Sequence, residues 1–129
     1  MRRASSEKVY VALVDDDESL CRSLARLLRA AGIQPISYPS AEAFLADTKH
    51  PHFDCVVLDI QLPGISGLEL QKRLTAAGPA PPVIFITARD DPQSREQAHI
   101  AGSAGYFRKT DAGSELLEAI RRAVTPSSA

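Results

Sequence analysis

The feature that most constrains this chain is a set of short runs that are apolar at successive positions and stop at a polar residue. Val9-Tyr10-Val11-Ala12-Leu13-Val14 runs into Asp15-Asp16-Asp17, and Phe53-Asp54-Cys55-Val56-Val57-Leu58 runs into Asp59. Val83-Ile84-Phe85-Ile86 stops at Thr87. A half-exposed strand alternates apolar and polar residues, whereas a strand without alternation is covered on both faces, as in a parallel sheet. Tyr106-Phe107, before Lys109, reads as a shorter run of the same kind, and residues 33–37 as another whose Pro35 suggests a sheet edge.

Between these runs the period changes to that of a helix. Leu20, Leu24, Leu27, Leu28 and Ala31 recur at three and four, so residues 18–31 form an amphipathic helix that Gly32 ends. Ser40 caps a short helix through Ala46. Ser66-Gly67-Leu68-Glu69 has capping-box form, with Leu70, Leu74 and Ala77 behind it. Asp91-Pro92 opens a helix over 92–101 with the weakest apolar face, chiefly Ala98 and Ile100 or Ala101. Leu116, Leu117, Ile120, Ala123 and Val124 mark the closing helix. Five strands alternating with five helices predict an α/β three-layer sandwich around a parallel sheet. At 129 residues this is one domain.

Charge excludes some partners. Lys and Arg number 15 against 16 Asp and Glu, a net charge of -1, which gives no general pull toward nucleic acid or an anionic membrane surface. The longest apolar runs fall far below the ~18 residues of a membrane span. No signal-peptide stretch follows the charged start, so a cytoplasmic protein is expected. Cys21 and Cys55 lie on apolar faces and match no disulfide or metal pattern, which makes them core residues. His50 and His52 flank Pro51 without metal spacing, and His99 reads as a surface residue.

In open parallel sheets, ligands bind at the carboxyl ends of the strands. The polar interruptions fall there: Asp15, Asp16 and Asp17 after the first strand, Asp59 after the third, Thr87 after the fourth and Lys109 after the fifth. If the first and third strands are neighbours, Asp15, Asp16 and Asp59 converge. Like charges that close raise one another's pKa or hold a cation, and a small oxygen-only set suits Mg²⁺. Helix N-capping explains part of the Asp15–Asp17 run equally well, and one Asp can cap while others bind metal. A cation such as Lys109, a hydroxyl such as Thr87 and a central carboxylate are what an Asp needs to attack and carry a phosphoryl group.

Taken together, Val-Asp15-Asp16-Asp17-Glu, Val-Leu-Asp59-Ile-Gln-Leu-Pro63-Gly64, Ile-Phe-Ile-Thr87-Ala88 and Gly105-Tyr106-Phe107-Arg108-Lys109 resemble the receiver domain of two-component response regulators, the CheY-like superfamily. The resemblance spans residues 8–124, leaving 1–7 and 125–129 as flexible termini. It implies a flavodoxin-like fold with strand order 2-1-3-4-5. It implies that a sensor histidine kinase passes a phosphoryl group to Asp59. It also implies that Asp16, Asp59 and the backbone carbonyl of Gln61 ligate Mg²⁺, with Asp15 acting through water. Lys109 and the backbone of Ala88 would meet the phosphoryl group, and Thr87 and Tyr106 would form the switch pair. Gln61 and Arg89, two residues after Asp59 and Thr87, would tune the lifetime of the phospho-form. The surface of helix 4, strand 5 and helix 5 would be the output face, with a homodimer on phosphorylation. The stretch Ser40 to Leu45 is similar to receivers that precede a helix-turn-helix output domain, and that output lies outside this chain.

One position departs from the family. Thr110 stands where a proline usually follows the strand-5 lysine. A non-proline cis bond costs ~3 kcal/mol, so a trans bond and a changed loop into the last helix are expected. Two other functions compete. A pseudo-receiver would keep the fold and bind a partner without phosphorylation, which the full acidic set argues against. A Mg²⁺-dependent phosphatase of the haloacid-dehalogenase type would want a second Asp where Gln61 stands. Nucleotide binding lacks a G-x-x-x-x-G-K-[ST] loop, and flavin phosphate would be repelled by the aspartates after strand 1. Tyr106 also has an ordinary reading, a half-buried packing residue with its hydroxyl in water.

Overall fold

The computed structural model describes residues 8–111 and 113–124, and the expected flexible termini at 1–7 and 125–129 lie outside the described residues. The elements run β1 (Val9–Val14), α1 (Glu18–Ala30), β2 (Ile33–Tyr38), α2 (Ala41–Ala46), β3 (Cys55–Asp59), α3 (Gly67–Ala76), β4 (Val83–Thr87), α4 (Pro92–Ile100), β5 (Gly105–Arg108) and α5 (Ser114–Val124). The five strands form one parallel sheet in the order β2-β1-β3-β4-β5. β2 is an edge, and Pro35 in it faces Val11 of β1.

Strand alternation divides the core into two layers. Val11, Leu13, Cys55, Val57, Ile84 and Ile86 pack with Leu24 and Leu28 of α1 and Leu116 and Ile120 of α5. The intervening residues Ala12, Val14, Val56, Leu58 and Phe85 pack with Phe44 of α2, Leu70 of α3 and Ala98 of α4. Two helices therefore cover one face and three the other. Among the described residues, no helix is long and apolar enough to cross a membrane.

Local chemistry sets the element ends. The Asp17 carboxylate accepts from the Leu20 amide and caps α1. Gly32 follows the end of α1 at φ 81°, where a side chain would be strained. Ser66 caps α3 by accepting from Glu69 N at 3.1 Å. The expected box is only half made, because Glu69 turns along the helix to Arg73 at 3.3 Å. Asp91 caps α4 ahead of Pro92.

Three expectations need correction. β3 begins at Cys55 rather than Phe53. Asp54 Oδ2 takes the Tyr10 amide at 2.9 Å while the Asp54 amide donates to Tyr10 O, so Asp54 closes the ladder. Phe53 instead joins Tyr38 and Phe44 in an aromatic cluster. In α4, Ile100 is 73% exposed, and Ala98 is the buried contact. The Tyr106 hydroxyl is not in water; it is buried.

Candidate phosphoryl-acceptor site

The carboxyl ends of β1, β3 and β5 bring Asp15, Asp59 and Lys109 together. Asp15 and Asp59 are 3% and 2% exposed, so their charges sit largely out of water. Lys109 Nζ donates to Asp15 Oδ1 and to Asp59 Oδ2, each at 3.0 Å. It also lies 2.9 Å from Asp15 Oδ2, an ionic contact off hydrogen-bond geometry that leaves this buried oxygen without a donor. Asp15 Oδ1 accepts from Asp17 N, and Asp59 Oδ1 from Gln61 N at 3.0 Å.

These environments raise both pKa values, which disfavours the charge on Asp15 and secures it on Lys109. Burial raises the Asp15 pKa, and the Asp17 amide and Lys109 only partly offset it. Burial alone would discharge Lys109, but its hydrogen bonds to Asp15 and Asp59 outweigh this and hold its pKa above the ordinary value. Lys109 is thus a fixed cation.

Asp16, exposed beside Asp15, completes an acidic group. Asp15, Asp16 and Asp59 each offer an oxygen within 4.8 Å of the others. Asp17 is spent on the helix cap, so the Asp run divides between capping and the cluster. Three carboxylates, one holding a buried oxygen without a donor, fit a small hard cation.

Thr87, fully buried at the end of β4, sits in a network that residue types alone do not reveal. Its hydroxyl lies 2.8 Å from Gln61 Oε1 and 2.7 Å from Arg89 O, and it accepts from Arg89 N at 3.0 Å. Arg89 therefore meets Thr87 through its main chain, while the residue is exposed, as is Ala88. The Lys109–Thr110 peptide is trans, and Lys109–Asp111 form a 3-10 turn, closed by an Arg108–Asp111 ion pair at 2.8 Å.

Tyr106 faces Phe85 across the β4–β5 ladder and packs with the core layer under α4. Its hydroxyl has no hydrogen-bond partner among the described residues. Burial raises its pKa, and the Asp90 carboxylate adds to this by charge from outside hydrogen-bond geometry. Arg95 stacks 4.7 Å above the ring and is itself held by Asp90 at 2.7 Å. Sequence reasoning missed Arg95, because a pair five residues apart straddling a helix cap follows no helical period.

A further constraint is Gly67 at the start of α3. A Cβ there would collide with the Asp59 carbonyl oxygen and come within 3.0 Å of its carbon and 3.1 Å of Ile60 Cα. The helix thus rests directly on the backbone that presents Asp59. Sequence reasoning placed Gly67 in the Ser66–Glu69 capping-box stretch without a reason for a glycine there.

A parallel sheet of this order carries an acidic group and a lysine at its carboxyl edge, and comparison makes the family definite. Residues 11–121 match the response regulator receiver domain family, and the chain belongs to it. It is 33% identical over 124 residues to the response regulator protein TodT of Pseudomonas putida, covering 96% of this chain and 55% of that protein. It is 36% identical over 115 residues to the transcriptional regulatory protein FixJ of Azorhizobium caulinodans, covering 89% of this chain and 54% of that one. The BeF3-activated receiver domain of DrrB from Thermotoga maritima superimposes with a TM-score of 0.80 at 29% identity, covering 90% of this chain and 97% of that one. The chain spans about half the length of these two curated relatives.

Proposed function

We propose that this receiver accepts a phosphoryl group on Asp59 from a phosphohistidine of a sensor histidine kinase, in the cytoplasm, with Mg²⁺. The observation that carries the reading is the buried Asp59 carboxylate, held by Lys109 and grouped with Asp15 and Asp16. An Asp59 carboxylate oxygen attacks phosphorus, a P–O bond forms, the P–N bond breaks, and the electron pair leaves on the imidazole. The Lys109 ammonium stays charged and neutralises the anionic oxygens as they arrive. Asp15, Asp16, Asp59 and the Gln61 carbonyl would hold Mg²⁺, which when bound supplies positive charge to the transferred group.

Residues 8–124 act as the receiver unit. Loading changes Thr87 and Tyr106, and the surface of α4, β5 and α5 carries the change to a second copy or to an output segment outside this chain. The named function of FixJ, a transcriptional regulator, supports an output of that kind. The Arg89 guanidinium, exposed beside Thr87, screens the acyl phosphate from water, so Arg89→Ala shortens the phospho-form's lifetime.

Intact-mass measurement after incubation with acetyl phosphate and Mg²⁺ tests the assignment. One phosphoryl group is gained by the wild type, and none by Asp59→Asn or in EDTA. Full labelling of Asp59→Asn overturns it.

A further inference from the structure

We infer that Gln61 is a positioning residue that holds the Thr87 hydroxyl in a resting hydrogen bond and thereby opposes the loaded state of the switch. The inference rests on the phosphoryl-acceptor reading and adds to it a residue that sets the resting equilibrium.

Gln61 is tied to both Asp59 and Thr87. Its main-chain amide donates to Asp59 Oδ1 at 3.0 Å. Its side-chain oxygen lies 2.8 Å from the Thr87 hydroxyl, and its side-chain nitrogen donates to Arg89 O at 3.4 Å. Arg89 O is in turn 2.7 Å from the same hydroxyl, closing a triangle of Thr87, Gln61 and Arg89. A hydroxyl has one proton to donate. Two acceptors already compete for it, so Thr87 can donate to a phosphoryl oxygen on Asp59 only after leaving both. Thr87 is fully buried and Gln61 exposed. On release, water can satisfy the Gln61 oxygen while Thr87 needs its new acceptor. Sharing one proton, each acceptor holds only part of a hydrogen bond, so the Gln61 oxygen weights the resting state by roughly twofold.

The side chain can be changed without touching the Gln61 main chain. Gln61→Met keeps length and removes the acceptor. Two measurements test the latch. In unloaded protein, side-chain scalar couplings of Thr87 report one χ1 rotamer in the wild type and a measurable second population in Gln61→Met. In a beryllofluoride titration with Mg²⁺, Gln61→Met binds roughly twofold tighter than the wild type, and the gain vanishes in the Thr87→Ala background. Unchanged Thr87 couplings overturn the latch. So does an equal gain in both backgrounds, because Gln61 would then act elsewhere. A wild type that takes up no beryllofluoride, with couplings that still respond to Gln61→Met, overturns the phosphoryl reading and this inference with it.

Discussion

Lys109→Met removes the cation that bridges two almost fully buried carboxylates. The Asp15 and Asp59 side chains are 2% and 3% exposed, and Lys109 is 16% exposed. Removing one member of a buried ionic set costs about 3–5 kcal/mol, because the remaining charge is left uncompensated. Protonation caps that loss. Taking one Asp from its ordinary pKa near 3.9 to the protonated form at pH 7 costs about 4 kcal/mol, at about 1.4 kcal/mol per pH unit. Once one carboxyl is protonated it can share its proton with the other, so the second need not follow.

The expected deficit is therefore about 3–4 kcal/mol at pH 7, a drop of roughly 10–15 °C in melting temperature for a domain of this size. The sign of the pH dependence follows from the variant's raised carboxyl pKa. A raised pKa gives a contribution that is fully present below about pH 4 and lost as pH rises through the folded value. The deficit should thus fall to about 1.5 kcal/mol at pH 5. Denaturation followed by circular dichroism, in EDTA so that no divalent ion compensates, measures both. Equal deficits at pH 5 and pH 7 would refute the electrostatic argument and assign the loss to packing of the lysine stem. A deficit under about 1 kcal/mol at pH 7 would refute the burial of the charges.

Gly67→Ala should destabilise by about 1–3 kcal/mol despite alanine's better helix propensity, because the new methyl meets main-chain atoms of Asp59 and Ile60 that have no rotamer to yield. Thermal unfolding and the acetyl phosphate labelling rate should fall together, and a stabilised variant would show that α3 does not bear on Asp59. Burial pushes the Cys21 thiol up to about 11 and the Cys55 thiol up to about 12. Both should resist a disulfide-exchange reagent at pH 8 in the native protein and react on unfolding, and fast native labelling of either would contradict its burial.

The fold was legible because its signals are local and repeated. Val9–Val14 and Val83–Ile86 are apolar at successive positions, as a strand covered on both faces of a parallel sheet is. The strand ends were legible for the same reason: Asp15, Asp59 and Lys109 interrupt apolar patterns at one edge, and the sheet order brings them within hydrogen-bond reach. What was illegible depends on pairs distant in sequence. The Asp54–Tyr10 exchange that delays β3, and the Gln61–Thr87 bond, each join residues whose local sequence carries no sign of the other. Ile100 was offered beside Ala98 as an alternative to Ala101, but it stands two residues on, on another side of the helix, and among its residues α4 buries only that alanine. Gly67 passes in the sequence as one residue of a capping box, and only the close approach of two backbones shows why a side chain is excluded there.

Lys109 reaches across 94 residues to Asp15 and 50 to Asp59. No fragment of the chain contains the site, and a molecule that has lost its β5 edge has lost the lysine too. Loading at Asp59, as proposed, would therefore require the sheet to be intact from β1 to β5. The converse concerns turnover. Any group held at that edge only by the folded chain lowers the population of unfolded molecules in proportion to its occupancy. Proteases that act on opened chains read that population. A receiver in use would outlive an idle one, so the signal that loads the site would also set how long each copy survives.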